Sequence, residues 1–288
     1  MSKIGIKTIK DKDYPKLLKK IGKNAPKKIY YKGEWDDEIF KNCLAVVGSR
    51  RMTTYGRQIT EKLVGQIAAS GITIVSGFMY GIDATAHQAA VDAGGKTIAV
   101  LGCGINHVCP SDQTDLYNDI INNGGLIISD FEPDLKAVHW TFPLRNRIVA
   151  GLSKAVLVVE AAPKSGSLIT ARLAKKYDRK VLAVPGQLTG SLSRGTNDLI
   201  KKGAGMITEP EDIIKIFRIK KDNSGNVSVS PRLSGIEGKI IKELEAEPLE
   251  IDELSRRIRQ PVSEIGQLLS LMQLQNLLKE ENGKYYVC

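Results

Sequence analysis

The sequence has 288 residues, of which 42% are hydrophobic and 26% charged, proportions that are ordinary for a globular protein. Its 4 cysteines are too few for a disulfide scaffold, and no apolar run reaches the roughly 18 residues that a membrane span needs. The lysine-rich N-terminus has no apolar stretch behind it, so we expect a cytoplasmic protein without a secretory signal or membrane contact.

The net charge of +10 is unevenly distributed along the chain. Residues 233–288 carry 7 basic and 10 acidic side chains, a net charge of −3, which leaves +13 on residues 1–232. A basic body of this kind favours a polyanionic partner such as nucleic acid, although a generic basic surface gives the same composition.

Residues 1–43 are predicted to form an N-terminal extension that packs on the core. The segment contains 12 lysines and 6 acidic residues and is punctuated by two prolines. We interpret it as a short helix, a loop and an edge strand near Lys28–Lys32.

From residue 44 to residue 217, short apolar runs alternate with stretches of 3.6-residue helical periodicity. The runs are Leu44–Val47, Ile72–Val75, Thr97–Leu101, Leu126–Ile128, Ala155–Val159, Val181–Val184 and, more weakly, Met206–Ile207. The helical stretches include Arg57–Ala69, Ile82–Ala93, Thr114–Asn122 and Leu168–Tyr177. This alternation predicts an α/β fold with a doubly wound parallel sheet and helices on both of its faces.

The C-terminal part of the sequence has a different pattern. Residues 218–234 are polar and rich in Ser, Gly and Asn, which predicts a linker. Residues 235–288 contain three helical stretches, Gly235–Ala246, Glu250–Arg259 and Val262–Gln275, followed by a hairpin over Glu280–Val287 with Asn282-Gly283 at its turn. Three helices and a small hairpin predict a winged-helix domain.

Glycines, serines and basic residues follow two of the predicted strands. The first strand is followed by Gly48, Ser49, Arg50 and Arg51, and the fifth by Lys164, Ser165, Gly166 and Ser167. In an open parallel sheet, ligands bind beyond the carboxyl ends of the strands. Bare amides, hydroxyls and guanidinium groups all bind phosphate, so we predict a phosphate-binding rim there. Tight turns alone would also explain the glycines.

A second group of aromatic and basic side chains precedes the fifth strand. It consists of Lys136, Phe142, Arg145 and Arg147. Aromatic faces next to cations suit stacked bases and backbone phosphates, as in single-stranded nucleic acid. The aromatic ring also fits core packing, and the two arginines also fit ion pairs with Asp83 or Glu160.

Several kinds of site find no support in the sequence. Neither a Walker A loop nor a dinucleotide fingerprint is present, so we expect no nucleotide cofactor. Cys103, His107 and Cys109 match no standard zinc spacing, and no nucleophile triad stands out among the 3 histidines. We therefore predict neither a metal nor a catalytic residue.

The same residues resemble the DNA-processing protein A family (DprA, also called Smf). The resemblance runs from about Ile9 to Ile214, with a winged helix after it. It rests on Gly48-Ser49-Arg50, Ser76-Gly77, Gly81-Ile82-Asp83, Phe142-Pro143, Arg145-Asn146-Arg147, Ser165-Gly166-Ser167, Pro185-Gly186 and Gly195-Thr196-Asn197 in that order.

The resemblance implies an extended Rossmann-like fold that binds single-stranded DNA. It further implies a non-enzymatic homodimer that protects incoming strands during natural transformation and loads a RecA-type recombinase onto them. In the family the glycine-serine-arginine loop contacts backbone phosphate, here Gly48, Ser49 and Arg50. Lysine and aromatic residues around the pocket assist, and by position these are Lys136, Phe142 and Lys164.

Two other functions are compatible with the sequence. One is a Rossmann-like nucleotide-binding enzyme or sensor, similar to phosphoribohydrolases, although Pro185-Gly186 is followed by Gln187 and not by a second glycine. The other is a regulator that binds double-stranded DNA through the winged helix, which the charge of −3 on that module disfavours.

Overall fold

The apolar runs form one mixed sheet in the structure, a computed structural model that describes residues 4–218, 236–274, 277–281 and 283–287. The strands are β1 (Gly5–Thr8), β2 (Lys28–Gly33), β3 (Cys43–Val47), β4 (Thr73–Ser76), β5 (Thr97–Val100), β6 (Leu126–Ser129), β7 (Ala155–Val158), β8 (Lys180–Ala183) and β9 (Gly205–Met206). Their order across the sheet is β1-β2-β6-β5-β4-β3-β7-β8-β9, and from β6 to β9 all neighbours are parallel. The predicted α/β fold is thus confirmed.

The helices of this first unit follow the strands along the chain. They are α1 (Lys16–Lys19), α2 (Thr54–Ala69), α3 (Ile82–Asp92), α4 (Thr114–Asn122), α5 (Thr141–Leu152), α6 (Ser167–Lys176), α7 (Arg194–Lys201) and α8 (Pro210–Phe217). Helix α2 begins earlier than its periodicity predicts. The Thr53 hydroxyl accepts a hydrogen bond from the Gly56 N–H at 3.1 Å and so satisfies one of the open donors of the first turn.

The central strands are buried on both faces, which explains their uninterrupted apolar sequences. In β3, Ala45 and Val47 pack with residues of α1, α5 and α6, whereas Leu44 and Val46 pack with residues of α2 and α3. Successive side chains of a strand point to opposite faces, so both faces of a covered sheet need apolar residues.

The predicted edge strand near Lys28–Lys32 is not at the edge. Strand β2 lies between β1 and β6 and is antiparallel to both, pairing Tyr30 with Ser129 on the β6 side. Strand β1 takes the edge instead. Its four residues include a half-exposed Ile6 and have no apolar run that a sequence pattern would detect. The sheet is therefore mostly but not entirely parallel.

The second unit, described by itself, contains α9 (Ile236–Ala246), α10 (Ile251–Ile258), α11 (Val262–Leu274), β10 (Leu278–Glu281) and β11 (Lys284–Val287). Ile265, Leu269 and Met272 of α11 are fully buried in its core, as their spacing predicts. The two strands form the predicted antiparallel hairpin. The predicted linker lies outside the described residues apart from Arg218, and so does Asn282 of the predicted turn.

None of the helices in the described ranges is long and apolar enough to cross a lipid bilayer.

His87 on α3 is held neutral in the core of the first unit. Its Nδ1 lies 2.7 Å from the Thr97 hydroxyl, which itself donates to the Ile74 carbonyl at 2.9 Å. The hydroxyl must therefore accept from Nδ1–H, and Nε2 has no partner among the described residues. Burial, with a smaller effect of nearby Arg145, lowers the pKa of His87 to about 3.

Because this imidazole stays neutral in the fold, the free energy of unfolding should fall as the pH is lowered. The unfolded chain protonates His87 below about pH 6.5 and the folded chain does not, so this group's contribution is present above pH 6.5 and is lost as the pH falls toward 3. We expect the wild type to lose about 2 kcal/mol more than His87→Leu in free energy of unfolding between pH 6.5 and pH 5. Urea unfolding at both pH values measures the difference, and equal losses would show that the imidazole charges freely in the fold.

Candidate nucleic-acid interface

The sheet has one point at which the strand order reverses. From β3 the chain adds β4, β5 and β6 on one side, and it then crosses over through α5 to place β7 on the other side of β3. The loops that leave β3 and β7 consequently diverge and open a crevice beyond the carboxyl ends of the two strands. Such switch points are where open α/β sheets bind their ligands.

A cavity of about 580 Å³ lies at this crevice. Ten of the predicted site residues line it: Gly48, Ser49, Arg50, Arg51, Phe142, Arg145, Lys164, Ser165, Gly166 and Ser167. They come from the loop after β3, the start of α5 and the loop after β7. The structure therefore brings together three segments that are up to 119 positions apart in the sequence.

The loop after β3 is braced by the loop after β4. A Cβ atom on Gly48 would lie 2.5 Å from the Ile82 side chain, and a Cβ on Gly81 would overlap the Ser49 carbonyl oxygen. Gly81 also has a φ of +75°, which side-chain-bearing residues rarely adopt. The Ile82 N–H donates to that carbonyl at 3.2 Å, so the two loops hold each other while Arg50 points outward, exposed.

Arg50 stacks on an aromatic ring at the wall of the cavity. Its guanidinium carbon lies 5.1 Å from the centroid of the Phe142 ring. Gly102 makes room for the ring, because a Cβ there would come within 2.7 Å of it. Among the described residues, Arg50, Arg51 and Lys164 form no salt bridge, so three exposed cations line the cavity without a directly paired carboxylate. The buried Asp83 carboxylate lines the same cavity and is attracted by Arg50.

The loop after β7 ends in the N-terminus of α6, which opens toward the cavity. The Ser165 hydroxyl lies 2.8 Å from the Ser167 hydroxyl and accepts from the Ser167 N–H at 3.3 Å. No hydrogen bond within the described residues uses the Gly166 N–H. Hydroxyl donors, an open amide and the positive end of a helix dipole form an anion-binding arrangement.

The N-terminus of α2, by contrast, is already occupied by a carboxylate of the protein. Glu160 is 3% exposed and accepts from the Thr53 N–H at 2.9 Å and from the Thr53 hydroxyl at 2.5 Å. Gly56 in the same turn leaves the space that this carboxylate fills. A phosphate group is consequently favoured at α6 and not at α2, where it would meet a negative charge.

Arg145 lies beneath the cavity and is 3% exposed. Its guanidinium donates to the backbone carbonyls of Gly77 and Val100, at the ends of β4 and β5. A Cβ atom on Gly77 would lie within about 2.6 Å of both this guanidinium and the carboxylate of Asp83. Burial raises the pKa of Asp83 to about 6, against the attraction of Arg145, and burial lowers the pKa of Arg145 to about 10.

Two predicted residues do not line the cavity. Arg147 donates to the Asp130 carboxylate at 2.6 Å, an ion pair between largely buried groups. Lys136 is exposed on the segment before α5, outside the cavity wall. Sequence reasoning also missed His139 and Asn146, which line the cavity. Both residues lie close to Phe142 in the sequence, and that proximity was the signal by which they could have been found.

The described residues contain no group of three or more His, Cys, Asp or Glu side chains that is able to hold a metal ion. Cys103 is fully buried, and burial raises the pKa of its thiol to about 12, so it is not a reactive thiolate.

Comparisons with known proteins agree over most of the chain. The family model for DNA recombination-mediator protein A matches residues 5–218, and the model for the DprA winged-helix domain matches residues 228–284. Protein Smf of Escherichia coli is 38% identical over 249 residues, which is 84% of this chain and 67% of that protein.

Two solved structures align with about three quarters of the chain. The X-ray structure of DNA processing protein A from Streptococcus pneumoniae aligns with a TM-score of 0.70 and 38% identity over 76% of both chains. DNA processing protein A from Helicobacter pylori aligns with a TM-score of 0.65 and 34% identity over 75% of this chain and 97% of that one. The latter structure was described for its single-stranded DNA binding mode.

The geometry of the cavity predicts opposite roles for two of its arginines. Arg145→Ala leaves the buried Asp83 uncompensated and two carbonyls without donors, so it should lower the free energy of unfolding by about 3–5 kcal/mol. Arg50→Ala removes an exposed cation and should change it by less than about 0.5 kcal/mol. Urea unfolding at pH 7 compares the two, and similar losses for both variants would contradict this division.

Proposed function

This chain belongs to the DNA recombination-mediator protein A family, and from that premise we propose that it binds single-stranded DNA in the cavity between the loops after β3 and β7. The DNA processing protein A structure from Helicobacter pylori, which was described for its single-stranded DNA binding mode, supports the proposal. The resemblance of the Gly48-Ser49-Arg50 loop to the family's phosphate-binding loop supports it as well.

The observation that carries the proposal is the convergence of three unpaired cations, an open helix N-terminus and an aromatic ring on one cavity. Arg50, Arg51 and Lys164 would neutralise backbone phosphates, and the hydroxyls of Ser165 and Ser167 would donate to them. The Phe142 ring, on which the Arg50 guanidinium stacks, would give a nucleobase an aromatic contact. Contacts of this kind bind the backbone and the base face, so binding should tolerate most sequences.

The same chemistry favours a single strand over a duplex. In a duplex the base faces are stacked on one another and do not reach a protein aromatic ring. A cavity that combines phosphate ligands with an aromatic wall thus accepts an unstacked nucleotide. Three of the twelve predicted site residues have no part in these contacts. We assign Arg145 to support of the cavity floor and leave Lys136 and Arg147 outside the binding contacts.

We place DNA binding in the first unit and not in the winged helix. Arg256 and Arg257 of α10 and Arg259 at its C-terminal end are the clustered basic residues that would bind phosphate there. Arg257 forms ion pairs with Glu243, Glu247 and Glu253, and Arg256 pairs with Glu253 at 3.2 Å. Cations that are paired in this way, on a module with a net charge of −3, contribute little to binding a polyanion.

Binding is expected to depend on Arg50. Arg50→Ala should weaken binding to a fluorescent single-stranded oligonucleotide about tenfold or more, since a charge-assisted phosphate contact and a stacked guanidinium are both lost. Lys62→Ala, which removes the same charge from an exposed position on α2 outside the cavity, is the control and should stay within about twofold.

Fluorescence anisotropy over a salt series provides the measurement. Log affinity should fall linearly with log salt, with a slope of roughly −0.7 per neutralised phosphate, and a duplex of the same length should bind more weakly. Unchanged affinity of Arg50→Ala would place the site elsewhere. Saturable binding of AMP with no preference for a strand would instead support the nucleotide-enzyme alternative.

We further propose that the chain acts as a homodimer that shields the strand and loads a RecA-type recombinase onto it. Once one cavity of a dimer holds the strand, the second cavity meets the same strand at a high effective concentration. The dimer should therefore bind the strand more tightly than a single chain does. Membership of a family of recombination mediators supports this role.

The proposed loading role predicts that Arg50→Ala no longer accelerates filament formation by a RecA-type recombinase. On single strands coated with a single-strand-binding protein, the full chain should shorten the lag of filament formation by a RecA-type recombinase several-fold, and Arg50→Ala should not. Light scattering should give twice the chain mass for both proteins. A wild-type chain that binds the strand but leaves the lag unchanged would refute loading while leaving strand binding intact.

A further inference from the structure

A tryptophan next to the cavity is unusually exposed. Trp140 is 58% exposed, immediately before α5. Its neighbour His139 and the nearby Phe142 both line the cavity. Consecutive Cα atoms are 3.8 Å apart, so the Cα atoms of Trp140 and Phe142 are separated by at most about 7.6 Å. The backbone of Trp140 therefore lies beside the proposed DNA site, and more than half of the residue's surface faces water.

The indole is held in place although it is not covered. Thr141, which is fully buried, donates to the Gly102 carbonyl at 2.5 Å, and its N–H donates to the Val138 carbonyl at 3.0 Å. These bonds fix the turn that carries Trp140. On its other side the ring meets buried Phe131 in an edge-to-face contact, with centroids 5.8 Å apart and an interplanar angle of 76°.

A rigid, exposed aromatic ring in this position has an obvious chemical partner in a nucleobase. Stacking on a fixed ring costs little conformational entropy, and every base has a face to offer. The continuity of Trp140 with a cavity lined by Arg50, Arg51 and Lys164 favours a base on a negatively charged strand over an apolar protein segment.

We propose that Trp140 is a stacking platform for a nucleobase adjacent to the nucleotide held in the cavity, so that the strand leaves the site across the start of α5. This proposal rests on the proposed function. It adds a second base contact to that of Phe142 and extends the binding site by a nucleotide beyond the cavity. Because stacking reads no base edge, the platform serves any sequence.

Intrinsic fluorescence reports this contact directly. The chain has 2 tryptophans, and the other, Trp35, packs between Tyr31 and Phe40 with centroid distances of 4.8 Å to each. Trp35 also donates from Nε1 to the Asp13 carbonyl at 3.3 Å. Addition of a single-stranded oligonucleotide to the full chain should quench the emission, and it should fail to do so in Trp140→Phe, where Trp35 alone remains.

The affinities separate stacking from other contacts. Trp140→Ala should bind a single strand about 5- to 100-fold more weakly than the wild type, and Trp140→Phe should recover most of the loss. Val138→Ala, at an exposed apolar neighbour, is the matched control and should stay within about twofold. Melting temperatures of all variants should agree, because each altered side chain is exposed.

An oligonucleotide series with one abasic sugar moved along the strand completes the test. At the position that faces Trp140, the wild type and Trp140→Ala should bind with equal affinity. Arg50-dependent binding without quenching or without loss in Trp140→Ala would overturn the platform and leave the proposed function standing. A loss in Trp140→Ala that persists on every abasic strand would refute stacking. Absence of single-strand binding by the wild type would overturn both.

Discussion

The buried guanidinium of Arg145 joins the elements on which the candidate site depends. It is carried by α5 and donates to the carbonyls of Gly77 and Val100, where β4 and β5 end. Buried carbonyls at strand ends need donors, and this guanidinium supplies one to each of the two. The same helix carries Phe142 into the cavity and begins directly after Trp140. One buried cation thus sets the position of the aromatic wall relative to the strand ends.

The Asp83 carboxylate stabilises the buried guanidinium in this low-dielectric environment. A buried guanidinium without a counter-charge is strongly destabilising, and the Asp83 carboxylate lies close enough to offset that cost. Burial raises the pKa of the carboxylate to about 6, so at pH 7 it is still mostly ionised and balances the guanidinium charge. The floor of the cavity is therefore close to charge balance, and the net positive charge is left at the exposed rim, where a phosphate of the proposed ligand would meet it.

The N-termini of α2 and α6 at the crevice differ in whether a carboxylate of the protein already satisfies them. A carboxylate of the protein satisfies the start of α2, since Glu160 accepts from the backbone and side chain of Thr53. No carboxylate of the described residues forms a hydrogen bond at the start of α6, where the hydroxyls of Ser165 and Ser167 contact each other and the Gly166 N–H is open. An external anion is consequently directed to one side of the crevice, toward Lys164. The helix dipole that the fold leaves open therefore favours an anion on the α6 side of the crevice.

The sequence by itself determined the covered parallel strands, the helices between them and the separate C-terminal module, because uninterrupted apolar runs and helical periodicity are local signals. It also placed glycine-rich basic loops at the correct strand ends. It did not determine which cations face the ligand. Arg145 and Arg147 are two positions apart, a rotation of about 200° on a helix, so one enters the floor of the cavity and the other pairs with Asp130.

Only the tertiary structure decided the remaining features, because each depends on contacts between distant segments. Strand β2 became internal when β1 and β6 paired on its two sides. Glu160 closed the N-terminus of α2 from 107 positions away. Trp140, which sequence patterns cannot distinguish from a core residue, stayed exposed because Phe131 contacts it from one side only and no other element covers it among the described residues.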